Sequence, residues 1–211
     1  MPELKENISV YVNDSLIVFG KKEYLVSNDR SLSDFIVSKQ EDITQIVKSI
    51  KSFQLHDNYF FETETPNLLF KSFSKEFKIL QAAGGLVLND KYEILMIHRF
   101  EHWDFPKGKV EKGETVNEAA LREVIEETAV ANLSITKQLP AAYHIYIYSD
   151  VWILKETFWY LMHSDYTGTL IPQFEEDILA AIWVPLDFLG EYMSQSYLGL
   201  QNLVKYCKLI R

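Results

Sequence analysis

Along residues 7–19, NISVYVNDSLIVF, apolar and polar positions alternate on both sides of Asn13-Asp14, which predicts two strands joined by a hairpin turn. SLSDFIVSKQEDITQIVKSIKSF then sets Ile43, Ile46, Val47 and Ile50 at helical spacing. NYFFET reads as a short strand, and TPNLLFKSFSKEF as a helix with Pro66 near its start. Residues 1–78 therefore predict a small α+β unit, and they carry no motif of recognisable chemistry.

The texture changes at Leu80. LQAAGGLVLND and YEILMIHRF read as two strands, followed by WDFPKGKVEKGE as a loop broken by Pro106, Gly108 and Gly113. Thr115 is a good N-cap and Glu118 completes a capping box, so a helix is predicted over 116–128. AYHIYIYS, ETFWYLMH and AAIWVP are strand-like, and the tail from Leu186 predicts one or two amphipathic helices. A second domain over 79–211 follows.

The helix over 116–128 poses the chemical question. At about 100° per residue, Glu123, Glu126 and Glu127 fall in one sector, with Leu121, Val124 and Ile125 opposite as the expected apolar anchor. Carboxylates three and four residues apart repel. A merely solvated face, the usual fate of charged positions, would relieve this with lysines. Here the neighbours are Val116, Ala119 and Ala120. A divalent cation would remove the repulsion, and hard oxygen donors suit magnesium, with manganese as the alternative. Just before the helix, Lys107-Gly108-Lys109 and Gly113 let backbone approach an anion, and Lys107 and Lys109 are candidate phosphate contacts.

Composition narrows the classes. A net charge of −9 argues against a sequence-independent grip on nucleic acid, and a polyanionic substrate would need local cations or a bound metal. With 47% hydrophobic and 14% aromatic residues the chain is globular in type rather than disordered. The lone Cys207 excludes an internal disulfide and a cysteine-based zinc cluster. No apolar run is of bilayer length and no signal-type leader opens the chain, so the expectation is a cytoplasmic protein without membrane contact.

GKVEKGETVNEAALREVIEETAV sets Gly108, Glu114, Arg122, Glu123, Glu126, Glu127 and Val130 at fixed intervals. This resembles the Nudix box, glycine-x5-glutamate-x7-arginine-glutamate-apolar-x-glutamate-glutamate-x-glycine-apolar. Ala129 stands where the family usually has glycine. The resemblance implies a Nudix-type α/β/α sandwich with a mixed sheet, an α+β fold preceded by the N-terminal unit. It implies a metal-dependent pyrophosphohydrolase acting on a nucleoside diphosphate linked to another group, usually with magnesium. Carried over by position, Glu123, Glu126 and Glu127 would hold the metal, joined by the backbone carbonyl of Lys107. Arg122 would pair with Glu114 or orient a ligand.

The family's general base is not always in the box, and PQFEEDI offers Glu175 or Glu176, of which Glu176 is taken as the candidate. Tyr146 and Tyr148 alternate on a strand and are expected on one sheet face, where they could stack on a base. The loop and the tyrosine stretch are similar to Nudix members acting on diadenosine or diphosphoinositol polyphosphates, so the substrate expectation leans to dinucleoside polyphosphates. ADP-ribose, nucleotide sugars and diphosphoinositol polyphosphates are the alternatives, as is a non-catalytic nucleotide sensor. A protein-interaction role for residues 1–78 is a further alternative. The resemblance leaves room for a homodimer.

Overall fold

The computed structural model describes residues 7–27 and 30–209, so the first six and last two residues assigned to the two expected domains lie outside the described residues. The chain forms two compact units, Met1–Leu80 with Tyr143–Lys155, and Gln81–Ala142 with Glu156–Arg211.

In the first unit β1 (Ile8–Val12) and β2 (Ser15–Gly20) form the expected hairpin, closed at Val12 and Ser15 with Asn13 at φ 50°. Strand β2 is buried along its whole length, as its unbroken SLIVFG run requires. Leu16 and Val18 pack with Leu25 of α1 (Lys22–Ser27), Phe35 and Phe60. Phe19 stacks instead on Phe61 and meets Phe73 of α3 (Pro66–Ser74). The stretch read as helical is interrupted: β3 (Ile36–Ser38) pairs in parallel with β4 (Tyr59–Glu62), single 3-10 turns at Leu32–Asp34 and Gln40–Asp42 flank it, and the α-helix is confined to α2 (Ile43–Lys51).

The division departs from the boundary expected at 78/79. Residues 143–155 belong to the first unit because β10 (Ala142–Tyr148) pairs in parallel with β1, Val10 opposite Tyr143.

In the second unit the strands run in the order β12 (Ile178–Pro185), β6 (Glu93–Arg99), β5 (Lys78–Leu88, in this unit from Gln81), β11 (Val151–Ser164, in this unit from Glu156). The glycine-rich loop contains two short strands that sequence reading missed. These are β7 (His102–Asp104) on β6 and β8 (Lys107–Lys109) on β5. A further missed strand, β9 (Leu133–Gln138), pairs with β11. Helix α4 (Val116–Thr128) covers one face, with Ala119, Ala120 and Val124 against Ala83, Val87, Leu95 and Tyr160. Helices α5 (Leu189–Met193) and α6 (Leu198–Tyr206) cover the other, packing Leu189, Met193, Leu203 and Val204 on Met96, Phe105 and Trp159. This is an α/β/α sandwich.

Candidate active site

Helix α4 starts as its sequence directs. The Thr115 hydroxyl accepts from Glu118 N, and the Glu118 carboxylate accepts from Thr115 N at 2.8 Å. The helix ends at Ala129, in left-handed conformation at φ 55°, whose N–H donates to Ile125 O at 2.7 Å. Its buried side differs from the apolar face expected. Ile125 is exposed, whereas Ala119, Ala120, Glu123, Val124 and Glu127 are buried. Small alanines let the helix lie close to the sheet, and that approach carries two carboxylates inward.

Glu127 is wholly buried. Its Oε2 accepts from the backbone N–H of Lys107 at 2.8 Å, while Oε1 has no hydrogen-bond partner. Arg99 Nη1 stands 3.8 Å from Glu127 Oε1 and 3.6 Å from Glu176 Oε2, charge contacts rather than close hydrogen bonds. Burial pushes the Glu127 carboxyl up to about 7, against the pull of Lys107 and Arg99. Glu123 is likewise raised by burial, with Arg122 opposing.

Arg122 organises the rest. Its Nε and Nη2 fork onto Glu114 at 3.1 and 2.7 Å, Nη2 also donates to Lys109 O, and Nη1 donates to Glu123 and Glu126 at 2.9 and 2.8 Å. The hydrogen bonds from Arg122 hold Glu114 below the ordinary carboxylate range. Gly108 leaves room for the Glu123 carboxylate: a Cβ there would overlap it and push that side chain aside. Gly113 is required by conformation, at φ 97°.

The structure gathers Arg122, Glu123, Glu126, Glu127 and Glu176, with Arg99 added. Lys107 is present in another role. Its ammonium donates to Asp104 Oδ2 at 2.6 Å, and although burial alone would lower it, Asp104 and then Glu127 hold it above its usual range. Lys109 is exposed and meets the site through its carbonyl. Tyr146 and Tyr148 share a sheet face as alternation requires, but on β10 in the first unit. Arg99 and Asp104 belong to no motif in the sequence, although Arg99 ends the strand before the glycine-rich loop and Asp104 lies within it.

The donor set fits a hard divalent cation: three carboxylates on one helix, one of them with an orphaned buried oxygen. They are not drawn into a ligand shell: among the described residues no three His, Cys, Asp or Glu side chains stand grouped for a metal ion. Arg122 Nη1 lies between Glu123 and Glu126.

The NUDIX domain model matches residues 78–198. The chain belongs to the Nudix family. Nudix hydrolase 6 of Arabidopsis thaliana is 29% identical over 131 residues, 58% of this chain and 44% of that protein. An 8-oxo-dGTP diphosphatase of Haemophilus influenzae is 38% identical over 63 residues, 27% of this chain and 46% of that one. The chain thus spans less than half the length of these curated relatives. Among solved structures, a C. elegans Ap4A hydrolase binary complex is similar over 61% of this chain and 95% of its own, at 22% identity and TM-score 0.47. Among the described residues no helix is long and apolar enough to cross a membrane.

Proposed function

We propose that the second unit hydrolyses a pyrophosphate linkage in a nucleoside-diphosphate-linked or related polyphosphate substrate, using a divalent cation, magnesium or manganese. The observation that carries this is the box helix itself. It buries Glu123 and Glu127 and leaves Glu127 Oε1 unsatisfied beside Arg99 and Glu176. Glu123, Glu126 and Glu127, with the Lys107 carbonyl, would hold the cation. When bound, such a cation neutralises phosphate oxygens and lowers the pKa of an attacking water.

The chain's own residues supply the remainder. Arg122 fixes the directions of Glu123 and Glu126, and the Lys107 N–H fixes Glu127. Glu176 is the acceptor for the water proton, positioned by Arg99. Lys109 and Arg99 provide the local positive charge that an acidic protein needs to draw in a polyphosphate. Dinucleoside polyphosphates are the first substrates to test, supported by the WDFPKGKVEKGE loop. Oxidised deoxynucleotides join the screen on the name of the Haemophilus relative. A cytoplasmic setting is part of the proposal, supported by the unpaired Cys207.

The test is hydrolysis with and without magnesium over dinucleoside polyphosphates, oxidised nucleotides, ADP-ribose, nucleotide sugars and inositol pyrophosphates. Magnesium-dependent cleavage of one class, abolished in Glu127→Gln, is expected. No cleavage of any class by a folded, magnesium-saturated protein would overturn the proposal.

A further inference from the structure

An aromatic pair, His102 and Tyr197, lies on the same side of the sheet as the glutamates. The register of β7 on β6 sets Arg99 opposite His102, His98 opposite Trp103, and Ile97 opposite Asp104. Alternation then puts Arg99, His102 and Asp104 on one face and His98 and Trp103 on the other. The contacts agree. Arg99 reaches Glu127 of α4, and Asp104 holds Lys107, whose N–H holds Glu127. Trp103, on the opposite face, packs on His98 and on Tyr192 of α5, each at 4.9 Å between ring centroids. It is a partly buried buttress packed against the core.

His102 has a different partner. Its ring lies 4.8 Å from that of Tyr197, tilted by 47°. The Gln195 carbonyl accepts from Trp103 N at 3.3 Å and meets His102 Nδ1 at 3.2 Å, which ties the segment between α5 and α6 to the edge of β7. Tyr197 therefore wraps around that edge to the glutamate side. Its phenol is pushed up by burial and next by the Asp104 charge, with Lys107 and Arg99 pulling it down, so the hydroxyl feels the charges of the site. Both rings stay open: His102 is exposed, and Tyr197 is 44% exposed. Tyr197 occupies the N-cap position of α6, where its carbonyl accepts from Leu200 N and Gln201 N but its side chain makes no capping hydrogen bond.

We propose that the His102–Tyr197 pair is the platform for the nucleobase of the substrate, with the polyphosphate running from it past Arg99 toward Glu127. This rests on reading the second unit as a nucleotide pyrophosphohydrolase. It moves the base from Tyr146 and Tyr148 to rings inside the unit that carries the glutamates. A base has two π faces and stacks on tyrosine or histidine without needing a hydrogen-bond code, so the platform serves purine and pyrimidine nucleotides alike, purines the more tightly.

Two measurements on the full chain test it. The first is AMP binding in the presence of a chelator, followed by tryptophan fluorescence or backbone amide shifts. The second is steady-state hydrolysis of diadenosine tetraphosphate with magnesium. Tyr197→Leu is expected to raise both the AMP Kd and the KM about tenfold with kcat within about twofold, from the usual worth of one stacked base. Tyr197→Phe should restore both, and His102→Leu should act in the same direction, which keeps the test open if Tyr197→Leu proves unstable. A structural role alone would lower the melting temperature without splitting KM from kcat. Unchanged Kd and KM in both leucine variants, while Glu127→Gln abolishes hydrolysis, would overturn the platform and leave the pyrophosphohydrolase reading intact. A rise in KM for Tyr148→Leu but not Tyr197→Leu would overturn it too. A wild type that neither binds AMP nor cleaves any nucleotide would end both.

Discussion

Replacing Glu127 with glutamine should make the metal-free protein more stable while removing its activity. The carboxyl is buried and its folded-state pKa is about 7, against an ordinary 4.5. A raised folded-state pKa means that the native protein takes up the proton more readily than the unfolded chain. The stability is therefore full below 4.5 and is lost as pH rises through about 7. At about 1.36 kcal/mol per pH unit, the forfeited stability is about 3 kcal/mol at pH 8.5 and about 1 kcal/mol at pH 5.5. Glutamine mimics the protonated acid: its carbonyl still accepts from Lys107 N, and no charge remains to desolvate. The assay is chemical denaturation in a chelator, read by the second unit's Trp103, Trp159 and Trp183, at both pH values. Glu127→Gln should exceed wild type by about 3 kcal/mol at pH 8.5 and by clearly less at pH 5.5. Magnesium at about a hundred times its Kd should then raise wild-type stability by about 2.7 kcal/mol and the variant far less. An equal gain at the two pH values, or none at pH 8.5, would refute the argument from burial.

Two further substitutions probe the geometry around this helix. Ala129→Gly should stabilise by about 0.5 kcal/mol and leave turnover intact, because relief of an alanine at φ 55° outweighs the added freedom of the unfolded chain. A drop in melting temperature would contradict this. Gly108→Ala should lower turnover at least tenfold with little loss of fold, since its Cβ would push the Glu123 carboxylate aside; unchanged kcat would show that Glu123 need not sit over Gly108.

How much of this was legible in the sequence follows from which constraints are local. The α4 boundaries and the Thr115–Glu118 box are set by residues within four positions of each other, and the structure has them as expected; the left-handed turn at Ala129 is added by the structure. The Asn13 hairpin is local in the same way. Strand β3 was hidden because Ile36 and Val37 are exposed on an edge, with no alternation to betray them. Strands β7 and β8 have three residues each and exist only because β6 and β5 pair with them. The placing of 143–155 depends on a partner more than a hundred residues away, which no local pattern can announce. At the site, the glutamate spacing was readable. The ties of Lys107 to Asp104 and of Arg99 to Glu127 and Glu176 needed the third dimension.

The buried face of α4 explains why its charges look so poorly arranged for a helix. An anchor of leucine and isoleucine would have held the helix off the sheet by the thickness of those side chains. With Ala119 and Ala120 there instead, the backbone comes close enough for Glu123 to lie over Gly108 and Glu127 to reach the Lys107 N–H. The cost is a desolvated carboxylate with one oxygen unpaired, which alanine packing does little to offset. Ile125, left exposed, is the counterpart of that choice: the helix has turned a large apolar residue outward so that Glu123 and Glu127 can face in. Stability surrendered at one buried oxygen is what the site has available to gain back from a cation, and that links the folding energetics of the helix to its proposed chemistry.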